Sequence, residues 1–153
     1  KLQVTEGYVT EVHNYKDSKK YFDNLLSFDK KALVVVNAKV QIAYDLNKLD
    51  VEVDSLQRKV VVKAIPDPEV TLVPDITYYD VQQSQFNEFT ASDYNKIKKN
   101  VIGRLEQNKI VADLKQQAHD RLFEELSRLL LLSKHFKWEV VDETQSFDLN
   151  FKD

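Results

Sequence analysis

The 153-residue chain contains no cysteine, which excludes disulfides, thiolate metal sites, iron–sulfur clusters and a cysteine nucleophile. The absence leaves the compartment open, because a chain of this length buries a sufficient hydrophobic core without disulfides. Methionine is absent as well, and the chain begins at Lys1. We therefore expect the sequence to be a mature or trimmed form of a longer product.

Glycine occurs only twice, at Gly7 and Gly103, which lie far apart in the sequence. A Walker loop, a dinucleotide fingerprint and a nucleophile elbow all need closely spaced glycines, because the backbone must approach a phosphate or turn sharply. The scarcity of glycine therefore argues against a nucleotide-dependent enzyme or a hydrolase of a common type.

Long apolar runs and one-sided charge are also missing. The longest run, Leu129 to Leu132, is far shorter than the ~18 residues that span a bilayer, and no signal peptide is present. The net charge is −3, with 22 basic and 25 acidic residues interspersed. This balance provides no basic footprint for nucleic acid.

Alternating apolar residues dominate the first half of the chain. They predict a strand over residues 31–46 that is central to a sheet. The even positions from Leu2 to Val12 are mostly apolar, which predicts a first strand with its even side buried. Residues 51–53 and 59–65 predict a hairpin, and residues 70–81 continue the sheet.

Helical spacing replaces alternation in the second half. Thr90 and Asp93 resemble a capping box at the start of a helix. The apolar residues form two stripes, and the second is displaced from the first by roughly a quarter turn around the helix. This displacement predicts a break near Gln107-Asn108, with Asn108 as a left-handed cap, followed by a second helix from Lys109 to His135. A further short helix is predicted earlier, over residues 18–28. Alternation resumes from Phe136 and predicts a return strand.

These elements predict an α+β fold, in which a mostly antiparallel sheet packs against two long C-terminal helices and a return strand lies near the C-terminus. We expect five to seven strands. The chain is predicted to form a single domain over residues 1–153, sheet-rich over 1–82, helical over 90–135 and with terminal strands over 136–152.

In this order of elements, four stretches carry a family resemblance. They are Tyr15-Lys16-Asp17-Ser18, Asp45-Leu46-Asn47-Lys48-Leu49, Ile65-Pro66-Asp67-Pro68-Glu69-Val70 and Phe86-Asn87-Glu88-Phe89-Thr90. On these turns and caps the chain resembles the bacterial domain-of-unknown-function 4230 family from about Leu2 to Val141. The resemblance implies an envelope protein with an N-terminal membrane anchor ahead of this domain. It implies no established activity and no functional residues.

Polar side chains provide no catalytic, cofactor or metal site that we favour. His13, His119 and His135 lack the spacing of a zinc helix, and we interpret each as structural. Asp50, Glu52 and Asp54 share one face of the hairpin, where carboxylates can hold a hard cation. The alternative is the solvated face of a hairpin with its valines inward, and we favour that interpretation.

Two groups of apolar residues are candidate interaction surfaces. Tyr78, Tyr79, Phe86 and Phe89 lie where sheet meets helix, and they either stack on a sugar or protein partner or plug this junction. Phe147, Leu149 and Phe151 alternate at the C-terminus. They add a strand to a sheet edge either in the same chain or in another copy.

The preferred hypothesis is a non-enzymatic cell-envelope module that acts through protein binding, on the extracytoplasmic side of a membrane. It needs no cofactor and no nucleic acid, it meets a membrane only through an anchor outside these residues, and self-association is compatible with it. The competing hypothesis is a small-ligand or carbohydrate-binding domain, or an enzyme of unfamiliar type, with its site at the aromatic junction. An enclosed pocket beside Tyr78 or Tyr79 would favour the second.

Overall fold

The computed structural model describes residues 2–21 and 26–147 and has an α+β fold. In this described part of the chain, six strands form two three-stranded sheets, with the orders β1-β2-β5 and β3-β4-β6. The predicted fold class and the predicted number of strands are confirmed, but two sheets replace the single expected one. The elements are β1 (Leu2–Tyr21), β2 (Leu26–Asp45), β3 (Asp50–Asp54), β4 (Lys59–Ala64), β5 (Glu69–Gln82), α1 (Ala91–Glu106), α2 (Lys109–His135) and β6 (Glu139–Asp142).

The chain divides into two compact units. The described residues of the long-strand unit are 6–21, 26–40 and 71–112, and those of the hairpin unit are 2–5, 41–70 and 113–147. Each unit combines segments that are distant in the sequence. The expected single domain over residues 1–153 concerns the whole chain and stays a prediction.

The long-strand unit is organised around β2, whose even-numbered residues from Lys30 to Val40 are buried, as the alternation predicted. Val34 and Val36 are completely buried, and Val9 of β1 is buried with them. Along α1, the residues at helical spacing are buried in turn. This inward set consists of Ala32, Val34, Val36, Ala38 and Val40 on β2, and Ile97, Val101 and Leu105 on α1.

β1 buries the side opposite to the predicted one. Its even positions, including Tyr8 and Val12, are exposed, and Val9 on the odd side is buried. On the exposed face the Thr10 hydroxyl donates to Asn37 Oδ1 at 2.8 Å. The prediction is wrong because β1 carries apolar residues on both sides. The alternation alone does not decide which side of such a strand faces the core.

The predicted helix over residues 18–28 is wrong where the structure describes it, since β1 extends to Tyr21 and β2 begins at Leu26. Residues 22–25 lie outside the described residues. Residues four apart lie on one side of a helix and also on one side of a strand. The apolar spacing in this segment therefore does not distinguish the two conformations.

Both ends of α1 are set by local polar groups. The capping box is confirmed, because Asp93 N–H donates to the Thr90 hydroxyl at 3.2 Å and Thr90 N–H donates to Asp93 Oδ2 at 2.9 Å. The break at residues 107–108 is also confirmed. The left-handed conformation expected for Asn108 is wrong. Asn108 instead caps the N-terminus of α2, because its Oδ1 accepts from Ile110 N–H at 2.9 Å.

The hairpin unit contains the predicted hairpin and return strand. β3 pairs antiparallel with β4, with Val51 opposite Val62 and Val53 opposite Val60. β6 lies on the other side of β4 and runs parallel to it, with Val140 aligned to Val60. Val60, Val62 and Leu130 of α2 form a buried cluster in this unit.

Candidate functional site

The C-terminal half of α2 and the β3–β4 hairpin bound an open cleft of about 540 Å³, which lies entirely within the hairpin unit. Every side chain that lines it is apolar except Ser133, whose hydroxyl donates to the Leu129 carbonyl at 3.0 Å. The cleft therefore has no charge of its own. Its lining residues are Leu49, Val51, Val53, Val60, Val62, Leu126, Leu129, Leu130, Leu132, Ser133, Phe136 and Trp138.

The floor of the cleft is core and its rim is exposed. Val62 and Leu130 are buried. By contrast, Val53 is 62% exposed, Leu132 is 54% exposed and Phe136 is 63% exposed. Isolated exposed apolar residues are normal on a protein surface, but a contiguous group around a concave floor is typical of a binding site.

The run Leu129 to Leu132 explains why this rim exists. Successive helical residues are turned by 100°, so four consecutive leucines cover most of the helix circumference. Only Leu130 of the four is buried. The other three remain at least partly exposed, and two of them, Leu129 and Leu132, line the cleft.

The turn that ends α2 positions Trp138, the single tryptophan of the chain, at the cleft. Trp138 N–H donates to the Ser133 carbonyl at 3.0 Å, and Lys137 N–H donates to the Lys134 carbonyl at 2.9 Å. Lys137 has φ 67°, so a lysine holds the left-handed position that glycine usually fills in such a Schellman motif. As a result, Trp138 lines the cleft beside the last turn of the helix.

An acidic strip follows the cleft on the other face of β3. Asp50, Glu52 and Asp54 are exposed and alternate with the cleft-lining valines. Glu52 pairs with Lys63 of β4 at 2.8 Å, and this hydrogen bond raises the pKa of the Lys63 ammonium. Within the described ranges 2–21 and 26–147, no three His, Cys, Asp or Glu side chains are grouped around a common point for a metal ion.

The aromatic junction lies in the long-strand unit, next to the buried Lys30. The Tyr78 and Tyr94 rings meet edge to face with centroids 5.0 Å apart, and Phe89 stacks on Tyr94 at 5.6 Å. The Lys30 ammonium lies 5.6 Å from the Phe89 ring centroid. Burial, with a smaller contribution from Tyr94, raises the pKa of the Tyr78 hydroxyl.

Tyr79 and Phe86 differ from their neighbours at the junction. Both side chains are exposed, although Phe86 also contacts Phe28 with ring centroids 5.0 Å apart. The structure thus brings Tyr78 and Phe89 together through Tyr94 and leaves Tyr79 and Phe86 at the surface. A role for these four residues in binding stays a prediction.

The C-terminal candidates end at the edge of the described chain. Phe147 is half-buried in the hairpin unit, where it packs against the Val60–Val62–Leu130 cluster and stacks on Phe123 at 4.8 Å. The Asp142 carboxylate holds it there by accepting from Phe147 N–H at 2.9 Å. Leu149 and Phe151 lie outside the described residues, and their pairing stays a prediction.

The histidines take part in side-chain hydrogen bonds or ring stacking. His13 Nδ1 lies 3.0 Å from an Arg104 guanidinium nitrogen, and its Nε2 lies 3.1 Å from Glu11 Oε1. Since an arginine can only donate, Nδ1 is the acceptor in the first contact and Nε2–H is the donor to Glu11 in the second. His119 stacks on Phe123 at 4.1 Å. A structural role for the three histidines stays a prediction.

Sequence reasoning missed the cleft, although one signal for it was present. The four consecutive leucines exceed what one buried helix face can hold, which indicates apolar surface left over on this helix. The contributions of Val53, Phe136 and Trp138 have no comparable local signal. They reach the cleft through the tertiary arrangement of hairpin, helix and return strand.

Comparison with known proteins places the chain in a family but gives no activity. The model of the family described as "Protein of unknown function (DUF4230)" matches residues 1–142, so the chain belongs to that family. No curated protein and no solved structure matches the chain. Over its described residues the chain has no helix with the length and apolar character needed to span a membrane.

Proposed function

We propose that this member of the DUF4230 family is a non-enzymatic binding module, and that its apolar cleft receives hydrophobic side chains of a protein partner. The observation that carries the proposal is the uncharged open cleft with Leu132, Phe136 and Val53 exposed at its rim. The one polar side chain among the lining residues, Ser133, is hydrogen-bonded to its own helix. The cleft is therefore poorly equipped to orient a reacting substrate, whereas it removes apolar side chains of a partner from water.

The expected affinity is modest. Covering a half-exposed apolar side chain contributes about 1 kcal/mol, and several such contacts must offset the loss of translational and rotational freedom on association. We therefore expect a dissociation constant in the micromolar range for a single short partner segment.

The acidic strip favours a protein over a membrane surface as the occupant. Asp50, Glu52 and Asp54 lie on the strand that borders the cleft, and anionic lipid headgroups are repelled by carboxylates. β3 also offers backbone hydrogen-bonding groups, which a hydrocarbon chain has no means to use.

The test uses Trp138, which is the only tryptophan of the chain and lines the cleft. Peptides are selected on the wild-type protein from a random-sequence display library and titrated while Trp138 emission is recorded. Leu132→Glu should weaken binding at least about tenfold, because it puts a charge at the rim. Leu131→Glu is the matched control, since Leu131 is 43% exposed on the same helix and does not line the cleft.

Two results would overturn the proposal. In the first, the selected peptides bind without changing Trp138 emission and with equal affinity for both variants. In the second, vesicles of anionic phospholipid shift Trp138 emission in a Leu132-dependent manner while no peptide does so, which would assign the cleft to lipid.

An extracytoplasmic, membrane-anchored location is part of the proposal and is supported by the family resemblance alone. The full-length protein should be digested when protease is added to spheroplasts of the native cell, with a cytoplasmic protein as the protected control. Protection of the domain until the cells are lysed would place it in the cytoplasm and contradict this part.

A further inference from the structure

β3 is an edge strand of the hairpin-unit sheet. In the described part of the chain its pairing partner is β4, through Val51 with Val62 and Val53 with Val60, and the sheet order leaves its other side open. Alternate residues of an edge strand direct N–H and C=O groups away from the sheet. β3 therefore provides a backbone template for one more strand.

The two faces of this edge differ sharply in chemistry. Val51 and Val53 point to the apolar cleft, and Asp50, Glu52 and Asp54 alternate with them on the opposite face. Asp54 Oδ1 is engaged by its own turn, because it accepts from the N–H groups of Leu56 and Gln57 at 3.0 Å each. Glu52 is paired with Lys63 of β4 at 2.8 Å, on the inner side of the strip. All three carboxylates nevertheless lie on the outermost strand, where an added strand would be their direct neighbour.

We propose that the partner is an extended segment in which apolar and basic residues alternate, and that it adds to β3 as a fourth strand. The inference rests on the proposed function and specifies the chemistry of its partner. Side chains of an added strand alternate between the two faces, so its apolar residues enter the cleft while its lysines or arginines lie beside Asp50, Glu52 and Asp54. Opposite charges on neighbouring strands stabilise such a pairing.

A second copy of this chain fits the edge poorly. Antiparallel self-pairing centred on Glu52 would place Glu52 against Glu52 and Asp50 against Asp54 of the other copy. Parallel self-pairing would likewise align carboxylate with carboxylate. Like charges on directly opposed strand residues are destabilising, so the acidic strip acts against self-association through β3.

Short synthetic peptides of alternating valine and lysine provide the probe, with alternating valine and glutamate as the charge control. Binding is followed by Trp138 emission and by amide shifts of the isotopically labelled protein. We expect the lysine peptide to bind at least about tenfold more tightly than the glutamate peptide and to shift the amides of Asp50–Asp54.

Two sets of matched variants separate charge from backbone pairing. Asp50→Asn combined with Glu52→Gln should remove most of the preference for lysine, whereas Asp120→Asn combined with Glu124→Gln makes the same charge change on the exposed side of α2 and should leave it unchanged.

N-methylation of the lysine peptide at either alternate set of amides blocks one strand edge at a time. One methylated isomer should bind and the other should not, and the one that binds reports the direction of the added strand.

The outcomes distinguish this inference from the proposed function. If peptides bind in a Leu132-dependent manner without a lysine preference, or if both methylated isomers bind equally, the strand-addition inference is wrong and the binding module stands. If the sedimentation coefficient shows a dimer that the Asp50 and Glu52 substitutions strengthen, while the lysine peptide does not bind, the edge serves self-association instead. If no peptide of any kind binds in a Leu132-dependent manner, both proposals fail.

Discussion

The Lys30 ammonium lies 2.6 Å from the Asp93 carboxylate, across 63 positions of sequence. Lys30 is on β2 and is buried, and Asp93 is the third residue of α1 and part of its capping box. Asp93 thereby neutralises a buried cation and satisfies the helix N-terminus at once. The contact fixes the start of α1 on β2, within the long-strand unit.

Removing the charge of Asp93 is expected to destabilise the protein strongly. Asp93→Asn leaves the Lys30 ammonium with the more distant Asp17 carboxylate at 3.5 Å, and we expect it to lower the free energy of unfolding by about 2–3 kcal/mol. The exposed pair of Glu124 and Arg128, at 2.7 Å, is the control, and Glu124→Gln should cost no more than about 0.5 kcal/mol. Urea denaturation measures both, and equal losses would contradict the assignment.

The same pair predicts a loss of stability in acid. Hydrogen bonds from Lys30 and then from Thr90 lower the pKa of Asp93 from its ordinary 3.8 to about 2. A lowered pKa contributes stability above the unfolded value, and that contribution is lost as the pH falls through about 2. The stability difference between the wild type and Asp93→Asn should therefore shrink by about 1–2 kcal/mol from pH 5 to pH 2. A difference that is constant over this range would show that Asp93 titrates normally.

A substitution at the end of α2 is expected to stabilise the protein. Lys137 has φ 67°, a conformation that costs a residue with a side chain about 1–2 kcal/mol relative to glycine. Lys137→Gly should raise the free energy of unfolding by about 0.5 kcal/mol, after the greater freedom of glycine in the unfolded chain is subtracted. Lys115→Gly, in the middle of α2, should instead cost about 1 kcal/mol. Thermal denaturation followed by circular dichroism compares the two, and a loss at both positions would contradict the strain at Lys137.

Two leucines of the hairpin unit should respond very differently to truncation. Leu122 is 2% exposed on α2, whereas Leu56 is 98% exposed in the β3–β4 turn. Leu122→Ala should lower the free energy of unfolding by about 3 kcal/mol through lost burial and a residual cavity, and Leu56→Ala should change it by less than about 0.5 kcal/mol. A substantial loss at Leu56 would show that this side chain is buried in solution, as happens when copies associate through the turn.

The parts of the fold that the sequence predicted depend on local rules. Thr90 and Asp93 cap a helix through groups three residues apart, and the alternation around Val36 marks a strand whatever surrounds it. The burial of the odd side of β1 depends on the partner strand, which a single sequence does not show. Asn108 lies between the C-terminus of α1 and the N-terminus of α2, and the sequence does not show which of the two its side chain caps. In the structure it caps α2.

The cleft lay beyond sequence reasoning for the same physical reason. Val53, Leu132 and Trp138 come from a hairpin, a helix and the segment after it, and no periodicity connects them. The leucine run indicates more apolar surface than one buried face of α2 can hold. The hairpin surface that faces these leucines across the cleft is seen only in the tertiary structure. The sequence alone predicts that Asp50, Glu52 and Asp54 share one face of a strand. The position of that strand at the edge of its sheet, where the carboxylates can meet an added strand, is seen only in the structure.

The parallel pairing of β4 with β6 also bears on how the protein is made. Residues 65–138 separate the two strands, so the ribosome completes β4 long before β6 exists. Until then the nascent β3–β4 hairpin has two open edges, and a two-stranded hairpin is marginally stable in water. The hairpin-unit sheet is therefore completed only after the C-terminal residues emerge, which makes stalled or truncated products prone to aggregate.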